Sequence, residues 1–241
     1  MSWTIELWVE GPTDANTGAD GALRGALPPM VKRTLAELAN TDGTEVCIEP
    51  QILSTVLRDL KVRIGLAGKR GQYSLHAKKI LTAFEKVLHA GRLAIAVWDA
   101  DGRPERVRDR NQILGDLRER GKKGAVAGTC IPCVEAWLLA DEGGFKRCFG
   151  IGPATGVPGD PEAWTGTSQA LKEKLHEVIR SCKEASPNLE HDVCSTSACY
   201  GRLAEKTDLA ALASKCPKGY GALREALNEF LVPCFCTEPS R

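Results

Sequence analysis

The sequence predicts an α/β protein in which a small parallel sheet flanked by helices precedes a helical carboxyl-terminal part. Residues 93–98 form an uninterrupted apolar run, which is typical of a strand buried on both faces of a parallel sheet. Residues 3–9 alternate in polarity and are rich in β-forming side chains, which predicts a first strand. From residue 168 onward, apolar residues recur at helical spacing, which predicts amphipathic helices.

The predicted organisation is an α/β domain over residues 1–142 and a helical region over residues 143–241. The helical region opens with a stretch at 143–167 that is rich in glycine and proline, which predicts a linker or lid. Further strands are predicted at 45–49, where Pro50 stops the chain, and at 125–130. Residues 51–64 mix β-branched side chains with a helical pattern, so both interpretations stay open there.

Composition limits the classes of function. The chain has 241 residues, of which 43% are hydrophobic and 26% are charged, as in ordinary soluble globular proteins. Its net charge of +1 argues against a general polyanion binder, so contacts with nucleic acid must come from local patches. No apolar run approaches the ~20 residues that cross a membrane. Residues 3–9 are too short for a signal peptide and include Glu6. We expect a cytoplasmic protein without membrane contacts.

Glu10 ends the first predicted strand and is followed at once by Gly11 and Pro12, which turn the chain and direct the carboxylate away from the strand. The alternative is an ordinary strand-to-helix turn with a solvated glutamate. A helix is predicted to begin at Pro28 and to run to about residue 39.

Basic residues surround the next predicted helix, which Ser74 could cap. The loop at 65–72 lacks the Gly-Lys-Ser/Thr ending of a phosphate-binding P-loop. Such a basic face is usually only solvated. This one precedes the apolar run at 93–98, which two aspartates follow, and it could contact phosphates. The candidate nucleic-acid-binding residues are Lys69, Arg70, Lys78, Lys79 and Arg103.

Asp99 and Asp101 follow the apolar run at 93–98 and precede Gly102. They would lie at the carboxyl end of a parallel strand, where open α/β sheets place their ligands. Two carboxylates repel each other there unless a cation lies between them, and oxygen ligands suit Mg²⁺ or Mn²⁺. An Asp-x-Asp-Gly turn without a metal is the alternative. If the sheet is parallel, Glu10 meets this pair and could act as a general base.

The later elements contribute fewer candidates. A charged helix is predicted over residues 105–120 and a short one over 134–141, in which Glu135 and Asp141 are six residues apart and so lie on different faces. The spacing of Cys130 and Cys133 matches half of a zinc site or a redox pair. No second half repeats it, which favours reduced, buried thiols.

The motifs at residues 10–14 (Glu-Gly-Pro-Thr-Asp) and 99–102 (Asp-Ala-Asp-Gly) resemble those of the Toprim (topoisomerase–primase) domain, which carries a glutamate on its first strand and an Asp-x-Asp on its third. With the Glu-Ala-Trp-Leu-Leu-Ala-Asp segment, they resemble small bacterial Toprim-like proteins related to the overcoming-lysogenisation-defect nucleases. The resemblance implies Glu10 as base or metal carboxylate, Asp99 and Asp101 as metal ligands, and Asp14 as a second-site acid. Glu135 matches the acid of the third segment.

The function that this resemblance implies is a Mg²⁺- or Mn²⁺-dependent nuclease. It would act on DNA in preference to RNA, as the effector of a phage-defence system with a partner ATPase, and the chain could form a homo-oligomer. A non-catalytic Toprim-like module that docks on a partner ATPase is the main alternative. Phosphoryl transfer on a nucleotide would suit the near-neutral charge, although no base-recognition motif accompanies it.

Overall fold

A computed structural model of the chain describes residues 2–11, 25–39, 45–58, 60, 73–153, 159–185 and 196–235. It shows an α/β fold in which a four-stranded, all-parallel sheet is flanked by helices, as predicted. The candidate residues Asp14, Lys69 and Arg70 lie outside the described residues. The four strands are β1 (Ser2–Val9), β2 (Glu45–Ile52), β3 (Leu93–Asp99) and β4 (Ala125–Cys130).

The strand order is β2-β1-β3-β4. The chain places β2 on one side of β1, returns to place β3 on the other side of β1, and then adds β4 beyond β3. The sheet therefore has its topological switch point between β1 and β3, which are direct neighbours with Val9 opposite Val97. Open α/β sheets bind their ligands in the crevice that forms at this point, beyond the carboxyl ends of the strands.

The helices of the first part are α1 (Leu27–Ala39), α2 (Leu53–Arg58), α3 (Leu75–His89), α4 (Pro104–Glu119), α5 (Val134–Ala140) and α6 (Glu142–Phe149). Those of the second part are α7 (Ser168–Glu184), α8 (Thr196–Lys206), α9 (Leu209–Lys215), α10 (Ala222–Phe230) and α11 (Val232–Phe235). A 3-10 turn at Pro161–Ala163 precedes α7, and a π-helical turn at Pro217–Gly221 precedes α10. Ser74 caps α3 as predicted, since its hydroxyl accepts from the Ala77 N–H. None of the described helices is long and apolar enough to cross a membrane.

Helices cover both faces of the sheet. Trp8 on β1 stacks on Phe84 of α3, whereas a side chain at Gly128 on β4 would meet Leu223 of α10. Trp8 is in register with Ala96, and Ala96 with Ala127, so Gly128 points to the opposite face. The strands β3 and β4 are accordingly buried throughout, apart from Asp99 at the end of β3.

The helical carboxyl-terminal part packs on the sheet and on α1. Its helix α10 contacts β4, and α8 contacts α1 and α6. One hydrophobic cluster contains Val97 of β3, Leu175 of α7 and Leu227 of α10. The packing therefore continues across residue 142, where the sequence predicts a domain boundary.

Two local predictions were wrong. Strand β2 does not stop at Pro50 but continues to Ile52, because β2 is an edge strand, where a residue without an N–H is tolerated. The stretch at 143–167 was predicted as a linker or lid, but its residues 143–149 lie in helix α6, and for the rest of the stretch the linker or lid stays a prediction. Gly143 and Gly144 lie inside this helix, which is held by the buried Phe145 and Phe149 rather than by intrinsic propensity.

Candidate functional site

Glu10 and Asp99 meet at the switch point between β1 and β3. Glu10 directly follows β1, and Asp99 is the last residue of β3. The backbone N–H of Asp99 donates to Glu10 Oε2 at 3.0 Å. The parallel pairing of β1 with β3 thus places Glu10 beside the turn at residues 99–103, which we call the acidic turn. The sequence predicts this meeting of Glu10 with the two aspartates.

Asp101 lies in the turn that follows β3. The N–H of Arg103 donates to the carbonyl of Ala100 at 2.8 Å, and Asp101 and Gly102 between them have φ values of 51° and 68°. Both values lie in the left-handed region, which Asp and Gly tolerate better than most residues. The Ser168 hydroxyl donates to Asp101 Oδ1 at 2.7 Å. The turn that the sequence offered as an alternative is therefore present, and it carries Asp101 towards Glu10.

Arg106 completes the candidate site, and the sequence analysis did not single it out. Its Nη1 donates to both carboxylate oxygens of Glu10, at 2.8 and 2.7 Å, and to the carbonyl of Asp99 at 2.7 Å. The same nitrogen lies 3.3 Å from Asp101 Oδ2. Four oxygens from the ends of β1 and β3 thus surround one positively charged atom. Arg106 follows Asp99 by seven residues and lies near the start of the helix that begins at Pro104, but this position does not separate it in the sequence from the other arginines of that helix.

The carboxylate of Asp99 takes a different direction from that of its neighbours. Its Oδ1 accepts from the N–H of Val134 at 3.1 Å, at the start of α5. The side chain of Glu135 is buried in the same region and is hydrogen-bonded to Cys133. Burial, and then the nearby charges of Glu135 and Asp99, raise the pKa of Cys133 far above its usual range, so the thiol stays protonated.

The oxygens around Arg106 Nη1 are of the type that Mg²⁺ and Mn²⁺ prefer. The carboxylates of Glu10 and Asp101 and the carbonyl of Asp99 share one centre, so their chemistry fits a divalent cation in the place of that nitrogen. In the described part of the chain, no three acidic, histidine or cysteine side chains already form a metal-binding group. The site that was predicted from Glu10, Asp14, Asp99, Asp101 and Glu135 stays a prediction.

A cleft of about 570 Å³ opens beside Glu10 and Arg106. The apolar part of its lining, the leucine wall, consists of Leu53, Leu57 and Leu75. Positively charged side chains from three helices reach the same cleft, namely Arg58 of α2, Lys79 of α3 and Arg106 of α4. Its volume lies within the range of sites that bind small molecules.

His76 also lines this cleft, and its ring packs edge-on against Trp98 with ring centroids 5.4 Å apart. Burial lowers the pKa of His76 below its usual 6.5, although the nearby charge of Asp109 acts in the opposite direction. The Trp98 indole N–H donates to the carbonyl of Arg106 at 3.3 Å. The imidazole is therefore favoured as a neutral ring at the floor of the site.

The other candidate residues do not belong to the group of oxygens around Arg106 Nη1. Lys79 lines the cleft, Lys78 is not among its lining residues, and Arg103 is exposed at the start of α4. Asp141 is held by Arg147 and by the N–H of Asp208.

The eight cysteines that the structure describes are free thiols, and Cys130 and Cys133 are buried. Cys194 and Cys236 lie outside the described residues. This arrangement agrees with the interpretation of the cysteines as reduced thiols, which are buried at 130 and 133.

No family model matches the chain, and no curated protein or solved structure shows significant similarity to it.

Proposed function

We propose that the chain is a Mg²⁺-dependent nuclease of Toprim type that hydrolyses phosphodiester bonds in nucleic acid. The observation that carries this proposal is the convergence of oxygens from Glu10, Asp99 and Asp101 on a single cationic centre at the switch point of the sheet. The preference for DNA, the partner ATPase and the role in bacterial phage defence are proposed from the Toprim resemblance alone.

The residues of the chain would divide the work of hydrolysis. Glu10 and Asp101, with the carbonyl of Asp99, would hold the divalent cation, which stabilises the negative charge that develops on a phosphoryl group. Glu10 also lies at the cleft, where its carboxylate could accept the proton of an attacking water. Lys79 and Arg58 would hold the phosphate by charge. Arg106 orients Glu10 in the metal-free protein, and its Nη1 would give way to the cation.

A nicking assay on supercoiled plasmid with added Mg²⁺ or Mn²⁺ tests the proposal. We expect cleavage that EDTA abolishes and that Glu10→Gln or Asp101→Asn lowers by about 100-fold or more, as for the loss of a catalytic base or ligand. Both replacements keep the shape of the side chain, and Asn tolerates the positive φ at residue 101. The control is Glu105→Gln, an exposed acid at the start of α4. Unchanged nicking by both site variants would refute the assignment.

A second candidate function is a non-catalytic module that docks on a partner ATPase. The observation that favours it is Arg106, because its guanidinium already neutralises Glu10 and Asp101 without a metal. This function predicts that Mg²⁺ does not raise the Tm of the protein, whereas a ligand that binds only the folded state must raise it. It also predicts co-purification with an ATPase and no EDTA-sensitive cleavage.

A further inference from the structure

We propose that the cleft beside Glu10 binds a single nucleoside monophosphate unit, with its phosphate against the basic residues and its base against the leucine wall. The inference rests on the proposed function and names the form of its substrate, which is an unpaired nucleotide rather than an intact duplex.

The distribution of charge in the cleft favours a phosphate at one side. Arg58 and Lys79 line it from two different helices, and neither forms a salt bridge with another residue in the described ranges. Arg106 also lines the cleft, but its charge is shared by Glu10 and Asp101. The positive charge of Arg58 and Lys79 is therefore left for an anion, which would be bound next to the candidate metal centre.

The apolar side chains of the cleft favour an apolar ring. Leu53 and Leu57 are buried, with 3% and 6% of their surface exposed, and they line the cleft together with Leu75, which is 65% exposed. Isolated exposed aliphatic side chains are common on protein surfaces. Leu75 differs because it lines the same cleft as two buried leucines and the basic side chains. A flat ring with an attached phosphate matches this combination.

A duplex cannot present such a ring without local opening. The faces of a base in a double helix are covered by stacking, and enzymes that bind a base in a pocket act on single strands or must extrude the base from the stack. A cleft of about 570 Å³ holds one nucleotide, not a base pair with its neighbours. Unpaired strands, chain ends or free nucleotides therefore fit the cleft.

Calorimetric titration in EDTA tests the inference without cleavage. The probes are 5′-dTMP and 5′-UMP, with inorganic phosphate and thymidine as fragments and p(dT)₄ as a strand. We expect a mononucleotide to bind more tightly than either fragment. Leu75→Ser and Lys79→Gln should each weaken this binding about tenfold, which corresponds to the loss of one apolar or charged contact. The matched controls are Ile151→Ser, at the other exposed large aliphatic among the described residues, and Lys86→Gln on the same helix as Lys79.

The results separate this inference from the proposed function. Absence of mononucleotide binding, binding no tighter than that of phosphate, or equal effects of Leu75→Ser and Ile151→Ser would overturn the inference, even if metal-dependent nicking is observed. Mononucleotide binding without any metal-dependent cleavage would support the cleft and refute the nuclease. Binding of p(dT)₄ at least as tight as that of dTMP assigns the cleft to a strand, and binding of dTMP alone assigns it to a free nucleotide.

Discussion

At the scale of single residues, the candidate site depends on how the negative charges of its carboxylates are neutralised. Arg106 neutralises Glu10 and Asp101 at contact distance, so the carboxylates can lie close together without the repulsion that they would otherwise experience. A divalent cation would have to displace one guanidinium nitrogen from these oxygens. Affinity for metal at this centre is therefore a competition with an internal cation, which is a property of the site that the acidic motifs alone do not reveal.

His76 gives a prediction for the pH dependence of stability. Its pKa is lowered in the folded protein, chiefly by burial, while Asp109 and Glu10 raise it and Arg106 and Lys79 lower it. The unfolded chain therefore binds the proton more readily, so the stability that neutral His76 contributes is complete above pH 6.5 and is lost as the pH falls below that value. We expect His76→Gln to reduce the loss of unfolding free energy between pH 7.5 and 5.5, measured by urea denaturation in EDTA.

The control for this measurement is His89→Gln, which removes an exposed histidine from the end of the same helix. We expect this variant to retain the pH dependence of the original chain. An equal loss of stability in His76→Gln and the original chain would show that other groups cause the acid sensitivity.

The acids and the arginine differ in how far the sequence could reveal them. Glu10, Asp99 and Asp101 could be predicted because each stands where a strongly apolar or alternating strand ends, and parallel strands end at one edge. Arg106 is one of several arginines on a charged helix, and only the packing of α4 against the acidic turn distinguishes it from its neighbours. Likewise, the direction of the Asp99 carboxylate depends on the start of α5, which is 35 residues away in the chain.

At the scale of elements, local sequence patterns predicted strands and capped helices better than a helix that contains glycines. Strand β4 spans residues 125–130 as predicted, since its small and β-branched side chains fit between two helical layers. Helix α6 was not predicted because Gly143 and Gly144 disfavour a helix. Its stability comes from tertiary packing, since Phe145 and Phe149 are buried in the hydrophobic core.

Gly128 provides a prediction about the contact of α10 with the sheet. A Cβ at this position would lie 2.7 Å from Leu223 Cδ1 and 3.3 Å from Val97 Cγ2, and both neighbours are buried. We expect Gly128→Ala to lower the free energy of unfolding by about 1–3 kcal/mol, as is usual for overpacking. Denaturant titration measures the effect.

The same substitution at Gly115 serves as the control. Apart from the neighbouring residues and the backbone of its own helix α4, nothing lies within 4 Å of a Cβ at this position. Gly115→Ala should stabilise the protein by about 0.5–1 kcal/mol, because alanine loses less backbone entropy in a helix. If both variants gain stability, α10 packs less closely on β4 than the structure indicates.

At the scale of the whole molecule, a buried hydrogen bond joins the two ends of the chain. The hydroxyls of Thr34 on α1 and Tyr220 before α10 are 2.6 Å apart, and both residues are buried. Thr34 Oγ1 also donates to the carbonyl of Met30 at 2.7 Å, and in that arrangement the Tyr220 hydroxyl donates to Thr34, so the pair fixes α1 against the carboxyl-terminal part. The two parts should therefore unfold together.

A double-mutant cycle of Thr34→Val and Tyr220→Phe tests this prediction. We expect a coupling of about 0.5–1.5 kcal/mol in the free energy of unfolding, the usual net contribution of one hydrogen bond. We also expect tryptophan fluorescence and helical circular dichroism to report the same transition. Two separated transitions would indicate that the carboxyl-terminal helices fold independently, and a coupling of zero would indicate that this hydrogen bond makes no net contribution.

The position of Pro50 on β2 has a consequence for encounters between copies of the chain. A strand at the border of a sheet offers a row of backbone groups to which a foreign strand can add, and such growth leads to aggregates. The pyrrolidine ring provides no N–H for that addition at the middle of β2. The residue that interrupts the sequence pattern of the second strand thus also helps to keep the sheet at four strands.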